Sequence, residues 1–405
     1  MSTAPTPLPP SIDMPRRRGL PGVLLGAVAG AARGAASALA NVVPFRRRGA
    51  PPAPSTVTPE PALASRISHS ARLMAGRRAV ESEQVRPVFV DALAAALAGK
   101  EVVAEVRGRP PFAPGFGPRA GDARLPVTFL GVRTTWFDHE LADALAGLTG
   151  TVAASIQAAD GGGGVTVSLT PHTTRPPTQV LALGAGLDGR PWRTVAPSVT
   201  WYEVDGADVA AGKRAALAAA EAQTGAADAA PAASFAHPLT VASHTIVEAD
   251  LTKAGWAKAI LAAGWDVRAP SLVLAEGLLY YIGPSGVSAL LTEAASITPP
   301  ASAFLADAMA SSGVAALRAR GLATGGKGLE VAWCYGTPLD IDAAWATLGW
   351  RLECESDLAA AGRRLLLAGA RDGGEPAWRL GFDATPAGVA RSPTMVLLLR
   401  ARRQA

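Results

Sequence analysis

The chain has 405 residues, 49% apolar and 18% charged, which supplies a real core and excludes a wholly disordered polypeptide. Two cysteines, Cys334 and Cys354, exclude a disulfide scaffold and a Cys-built zinc finger, and five histidines without HxH or HExxH spacing give no metal motif. The net charge of +5 is local: over residues 1–58 seven arginines against the single acid Asp13 carry +6, so the remainder stands at −1 and offers no basic surface to nucleic acid.

Residues 1–58 are rich in Arg, Ala, Pro and Ser and read as a transit-like leader, which points to a chloroplast or mitochondrion; a disordered tail on a cytoplasmic protein is the alternative. Leu20–Val43 also admits a signal or anchor reading. It makes a poor membrane span, because Gly and Ala are mildly apolar and Arg33 would lie near mid-bilayer. Pro51, Pro52 and Pro54 make a linker, so residues 59–405 are expected to form the folded domain.

Ser65–Ser82 reads as a helix, and Val88–Ala98 as a second that stops at Gly99. The Pro/Gly-rich segment 107–126 reads as a loop or lid, Val132–Leu148 as a helix and Gly161–Gly164 as a flexible break. From Gln179 the pattern changes. Short apolar runs at Val180–Leu183, Val199–Val204, Thr245–Ala249, Leu272–Ala275 and Ala303–Ala306 alternate with helical stretches at Ala207–Ala222, Lys253–Ala263 and Ser285–Ile297. Trp350–Cys354 and Thr394–Leu399 are late strands, and the Ala-rich 215–233 lengthens one helix-to-strand connection. This alternation predicts an α/β fold: a mostly parallel sheet with helices on both faces.

After the first of these strands, Gly184-Ala185-Gly186-Leu187-Asp188-Gly189 matches GxGxxG, and Glu203 and Asp205 follow 19 and 21 positions after Gly184. That spacing suits a dinucleotide fold and a NAD-dependent oxidoreductase. Asp188 argues the other way: facing the ligand it would repel a pyrophosphate, whereas S-adenosylmethionine carries a sulfonium and an ammonium group that acids attract. As a helix N-cap it would face away from the site.

Six segments in order over roughly residues 65–310 resemble the leucine carboxyl methyltransferase-like family of S-adenosylmethionine-dependent O-methyltransferases, in its bacterial branch. They are Ser70–Ala75 with Arg78–Ser82, Val132–Asp138, Leu183–Arg190, Tyr202–Asp205 with Lys213 beyond it, Asp250-Leu251, and Ala275–Tyr281. The resemblance implies a Rossmann-like class I methyltransferase fold with a seven-stranded sheet. An N-terminal helical cap would span about 62–150, the core about 175–310 and a C-terminal part 311–405. It implies S-adenosyl-L-methionine as cofactor and an unidentified small-molecule or carboxylate acceptor, methylated on a carboxylate or hydroxyl. Arg133 would contact the methionine carboxylate, Gly184 would line the amino-acid end, Asp205 would bind the ribose hydroxyls, Asp250 and Leu251 would hold the adenine, and Glu276 would sit near the reacting end. Tyr280 and Tyr281 are the acceptor-side candidates, with core packing as their plainer role. Without the resemblance, Arg133 reads as an ion pair with Asp138 or Glu140. Asp91-Ala92 stands where Asp-Pro is usual, and Gly189 where Thr is common. A non-catalytic cofactor binder is a further alternative; no metal, nucleic acid or membrane partner is expected.

Overall fold

The computed structural model describes residues 63–84, 87–108, 118–119, 122–126, 128–156, 165–224, 238–323, 333–338, 340–358 and 396–404. The expected leader, the Gly161–Gly164 break, and much of the 107–126 and 215–233 segments lie outside these residues. Among the described residues no helix is long and apolar enough to cross a membrane, and no cluster of His, Cys, Asp and Glu could hold a metal ion.

Helix α1 (Leu63–Ser82) begins the described chain. The expected helix Val88–Ala98 is shorter and divided. Only α2 (Ala94–Ala98) forms there; Gly99, at φ 83°, turns the chain directly into α3 (Lys100–Arg107). A residue with a side chain resists that left-handed backbone, so Gly99 is a corner between two helices and not the stop its position predicts. Two short strands, β1 (Pro118–Arg119) and β2 (Asp122–Pro126), pair inside the segment read as loop.

Helix α4 (Phe129–Leu145) is capped by Thr128, whose side chain accepts from the Gly131 N–H at 3.0 Å. It is buried continuously from Leu130 to Phe137. The expected end at Leu148 is overrun by a hairpin the sequence reading did not anticipate, β3 (Leu148–Ile156) paired antiparallel with β4 (Val165–Thr173).

The main sheet contains β5 (Gln179–Leu183), β6 (Ala196–Asp205), β7 (Val241–Glu248), β8 (Ser271–Ala275), β9 (Ala303–Met309), β10 (Trp350–Asp357) and β11 (Val396–Arg403). Its order is β10-β11-β9-β8-β5-β6-β7, with the central pairs parallel and β11 antiparallel to both neighbours. The mostly parallel sheet is the one the alternation predicts, and its seven strands are the number the resemblance implies. Helices α5 (Ala207–Thr224), α6 (Trp256–Ala262), α7 (Pro284–Ser296), α8 (Ser311–Ala323) and α9 (Ile341–Ala346) connect the strands; α8 and α9 were not read from the sequence.

Strand β5 is buried at every position because both faces are covered. Alternation sends Leu181 and Leu183 into one core with Trp256, Ile260, Leu290 and Trp345, from α6, α7 and α9. Val180 and Ala182 enter the other, with Val132, Trp136 and Phe137 of α4. The chain leaves β5 for β6 and β7 on one side, then returns to place β8 against β5 on the other. That reversal opens a crevice beyond the carboxyl ends of β5 and β8, where ligands bind in open α/β sheets.

Candidate active site

The glycine loop closes β5 at this crevice. Gly184 and Gly186 stand at φ 61° and 55°, a conformation that side chains resist. A Cβ on Gly184 would come within 2.7 Å of the Leu278 side chain, so the loop after β5 lies against the loop after β8. No α-helix follows the glycine loop; a three-residue 3-10 turn, Arg190–Trp192, stands there instead. A pyrophosphate site uses the aligned N–H groups and dipole of an α-helix N-terminus, and no α-helix starts at this loop.

Asp188 settles differently from either sequence reading. Its carboxylate accepts from the Arg190 N–H at 3.0 Å and from Arg190 Nη1 at 2.8 Å. Burial alone would raise its pKa, but Arg190 and further cations hold it well below the ordinary carboxylate value. With its charge thus paired, it is neither a free attractor of cations nor a helix N-cap. The Asp188 carbonyl accepts from Lys213 Nζ at 2.7 Å, and the same ammonium pairs with the buried Glu203 at 2.6 and 2.8 Å. Helix α5 therefore holds the glycine loop through one lysine.

Asp205 ends β6 beside that loop. Its two oxygens accept from the Gly186 and Gly206 N–H groups, each at 2.7 Å. Burial raises its pKa against those two donors. Asp250 follows β7 and is exposed: it accepts from the Thr252 N–H at 3.0 Å and pairs with Lys253 at 2.7 Å. The bonds to Lys253 and Thr252 lower its pKa to about 2. Leu251 is buried.

Glu276 follows β8. Its carboxylate is clasped by two guanidinium groups, Arg133 Nε at 3.0 Å and Arg190 Nη2 at 2.8 Å. Arg133 pairs with neither Asp138 nor Glu140: its second partner is Asp307 on β9, with Nη1 3.4 Å away. Burial by itself would lower the Arg133 pKa, yet Asp307 and Glu276 outweigh it and the shift is upward. Asp138 belongs to Arg190 and Arg193, and Glu140 to Arg400, the latter pair 2.6 Å apart.

Tyr280 is buried and donates its O–H to Asp307 at 2.6 Å, while its ring stacks on Trp333 with centroids 5.1 Å apart. Burial, then Asp307, push its pKa well above 10. Tyr281 is half-buried. The structure thus brings Gly184, Asp205, Asp250, Leu251 and Glu276 to the ends of four adjacent strands, with Arg133 reaching in from α4. Asp307 is the residue the sequence reading missed. A lone acid inside the apolar run Ala303–Met309 was the available signal.

The sequence profile of the Leucine carboxyl methyltransferase family matches residues 170–295. A protein of Parafrankia sp. named "Putative S-adenosyl-L-methionine-dependent methyltransferase" is 32% identical over 238 residues, 58% of this chain and 61% of that one. One of the same name from Mycolicibacterium vanbaalenii is 35% identical over 131 residues, 32% of this chain and 37% of that one. The chain thus spans less than two thirds of the length of these relatives. A magnesium protoporphyrin IX methyltransferase of Synechocystis, solved with bound S-adenosylhomocysteine, aligns with 56% of this chain and 75% of its own at a TM-score of 0.31 and 13% identity. The family match thus spans the glycine loop and strands β5 to β8 around it, and over that region the chain is similar to leucine carboxyl methyltransferases.

Proposed function

We propose that this protein binds S-adenosyl-L-methionine in the crevice between β5 and β8 and transfers its methyl group to a carboxylate or hydroxyl oxygen of an acceptor. The observation that carries this reading is the locked Asp205 carboxylate beside a glycine loop that has no helix behind it. Each Asp205 oxygen accepts one backbone N–H and keeps a further lone pair, which suits a pair of ribose hydroxyls. The loop lacks the helix terminus that a dinucleotide's pyrophosphate needs, so the oxidoreductase alternative has little to rest on.

The residues present fit the cofactor. Arg133 uses Nε and Nη1 on Glu276 and Asp307, which leaves Nη2 for a carboxylate. The exposed Asp250 can accept from an exocyclic amine beside the apolar Leu251. Glu276 holds Arg133 and Arg190 in place, and its charge is already compensated by them. When bound, S-adenosylmethionine supplies a methyl group activated by its sulfonium. The protein's task is then alignment and exclusion of water. Tyr280 and Tyr281 lie just past the end of β8; Tyr280 is buried and committed to Asp307 and Trp333, which leaves the half-buried Tyr281 as the acceptor-side candidate.

A thermal-shift measurement tests the reading. S-adenosylhomocysteine should stabilise the protein by about 2.7 kcal/mol at a hundredfold excess over Kd, and NADH should not stabilise it. Stabilisation by NADH alone would reverse the assignment.

A further inference from the structure

Asp307 stands in an unusual position for a carboxylate. It lies in the middle of the sheet, wholly buried, between Ala306 and Ala308. Three donors converge on it: the Gly277 N–H at 2.6 Å, the Tyr280 O–H at 2.6 Å and Arg133 Nη1 at 3.4 Å. The first two belong to the loop after β8 and the third to α4. One side chain therefore fixes that loop and the arginine against each other. A lone carboxylate is costly to bury unless its lone pairs are filled, and here they are filled by the elements that border the crevice.

The guanidinium groups around it are unequally committed. Arg190 uses all three nitrogens, on Asp138, Asp188 and Glu276. Arg193 directs both terminal nitrogens at Asp138. Arg133 alone of the three keeps a terminal nitrogen, Nη2, free of a hydrogen bond among the described residues. Gly277 faces that nitrogen. A Cβ there would lie 3.3 and 3.4 Å from Nη1 and Nη2, and the residue's φ of 70° favours glycine as well.

We propose that Asp307 is a positioning residue that aims the free edge of Arg133 at the carboxylate of S-adenosylmethionine; this rests on the function proposed above. Glu276 grips one edge of the planar guanidinium and Asp307 the next. Two fixed edges of a rigid fork define the direction of the third. Simple electrostatics gives the opposite expectation for loss of Asp307. Its negative charge repels the cofactor's carboxylate, so removing it would tighten binding if position were unimportant. The sign of the effect therefore separates the two accounts.

The test is calorimetric titration of the full chain and of Asp307→Asn with S-adenosylhomocysteine and with its analogue lacking the amino-acid carboxylate. Asp307→Asn should weaken S-adenosylhomocysteine roughly 10- to 100-fold, the range for a charge-assisted hydrogen bond, and leave the analogue within about twofold. Unchanged or tighter binding of S-adenosylhomocysteine by the variant overturns the proposal, as does equal weakening of both ligands, which would mark general damage to the site. Failure of the unaltered chain to bind S-adenosylhomocysteine would overturn the functional reading itself, a different outcome from either. If Asp307→Asn does not fold, Tyr280→Phe decides on the same two ligands. Removing one of Asp307's donors should weaken S-adenosylhomocysteine by about threefold to tenfold and spare the analogue, and any other pattern refutes the positioning role.

Discussion

On the side of the sheet covered by α6, α7 and α9, the central strands present Leu181, Leu183, Val204, Val273, Phe304, Ala306, Leu397 and Leu399 to a core closed by Trp345 and Trp350. On the side covered by α4 and α5, the same strands present Glu203, Asp307 and Arg400 among their apolar residues. Each of those charges meets its opposite on a covering helix: Glu203 with Lys213, Asp307 with Arg133, Arg400 with Glu140. Buried charges of this kind are weak sources of stability, since desolvation offsets much of their attraction. Their value lies in direction. Both faces carry an apolar core, but the second also sets the angles at which loops and side chains reach the crevice.

The largest expected effect that would break this contrast is on the apolar side. Trp350 is wholly buried and donates its indole N–H to the Leu291 carbonyl at 2.9 Å. Trp350→Ala should cost about 3–5 kcal/mol in urea unfolding. S-adenosylhomocysteine affinity of the folded fraction should stay unchanged, and a large change in Kd would mean the faces are not separable. Lys213→Met should cost a similar amount, about 3–5 kcal/mol, because it strands Glu203 without its cation. Here Kd must rise too, since the lysine also ties down the Asp188 carbonyl of the glycine loop.

Next in size is Arg133→Ala, expected to weaken S-adenosylhomocysteine by about 1.5–3 kcal/mol through loss of one charge-assisted contact. It should also lower stability, because Asp307 and Glu276 each lose a cation. Unaltered affinity by calorimetry would remove Arg133 from the cofactor site.

The smallest effect is in the pH profile. Burial raises the folded Asp205 pKa above its ordinary value, so the carboxylate takes up a proton earlier on acidification than a free aspartate does. The ionised form is the one that accepts from two hydroxyls. S-adenosylhomocysteine affinity should therefore decline on acidification from above pH ~3.9, the unperturbed value. Asp205→Asn should flatten that limb, and a wild-type profile level down to pH ~3.9 would count against the ribose role.

The strands of the sheet were legible because a strand buried on both faces has to be continuously apolar, and Val180–Leu183 and Leu272–Ala275 are. The crevice was legible in its glycine loop and in acids that close successive strands. The pairing among its charges was not. Arg133 and Asp307 are separated by 174 residues, and nothing local distinguishes Glu140 from Asp307 as the partner of Arg133. Asp188 was misjudged for a related reason: its neutralising partner, Arg190, is two residues away, but the turn that brings them together appears only once the helix after the loop is replaced by a 3-10 turn. The hairpin β3–β4 is masked by its Thr and Ser content, although their alternation with Val and Leu in Val165–Thr170 is a period-two strand signal.

The most direct test of the central claim is a crystal structure with S-adenosylhomocysteine bound. Its ribose should rest on Asp205, its carboxylate on Arg133 Nη2, and its sulfur between Gly184 and Glu276. Density for the ligand elsewhere on the molecule, or an adenosine turned away from Asp205, would contradict the assignment of this crevice.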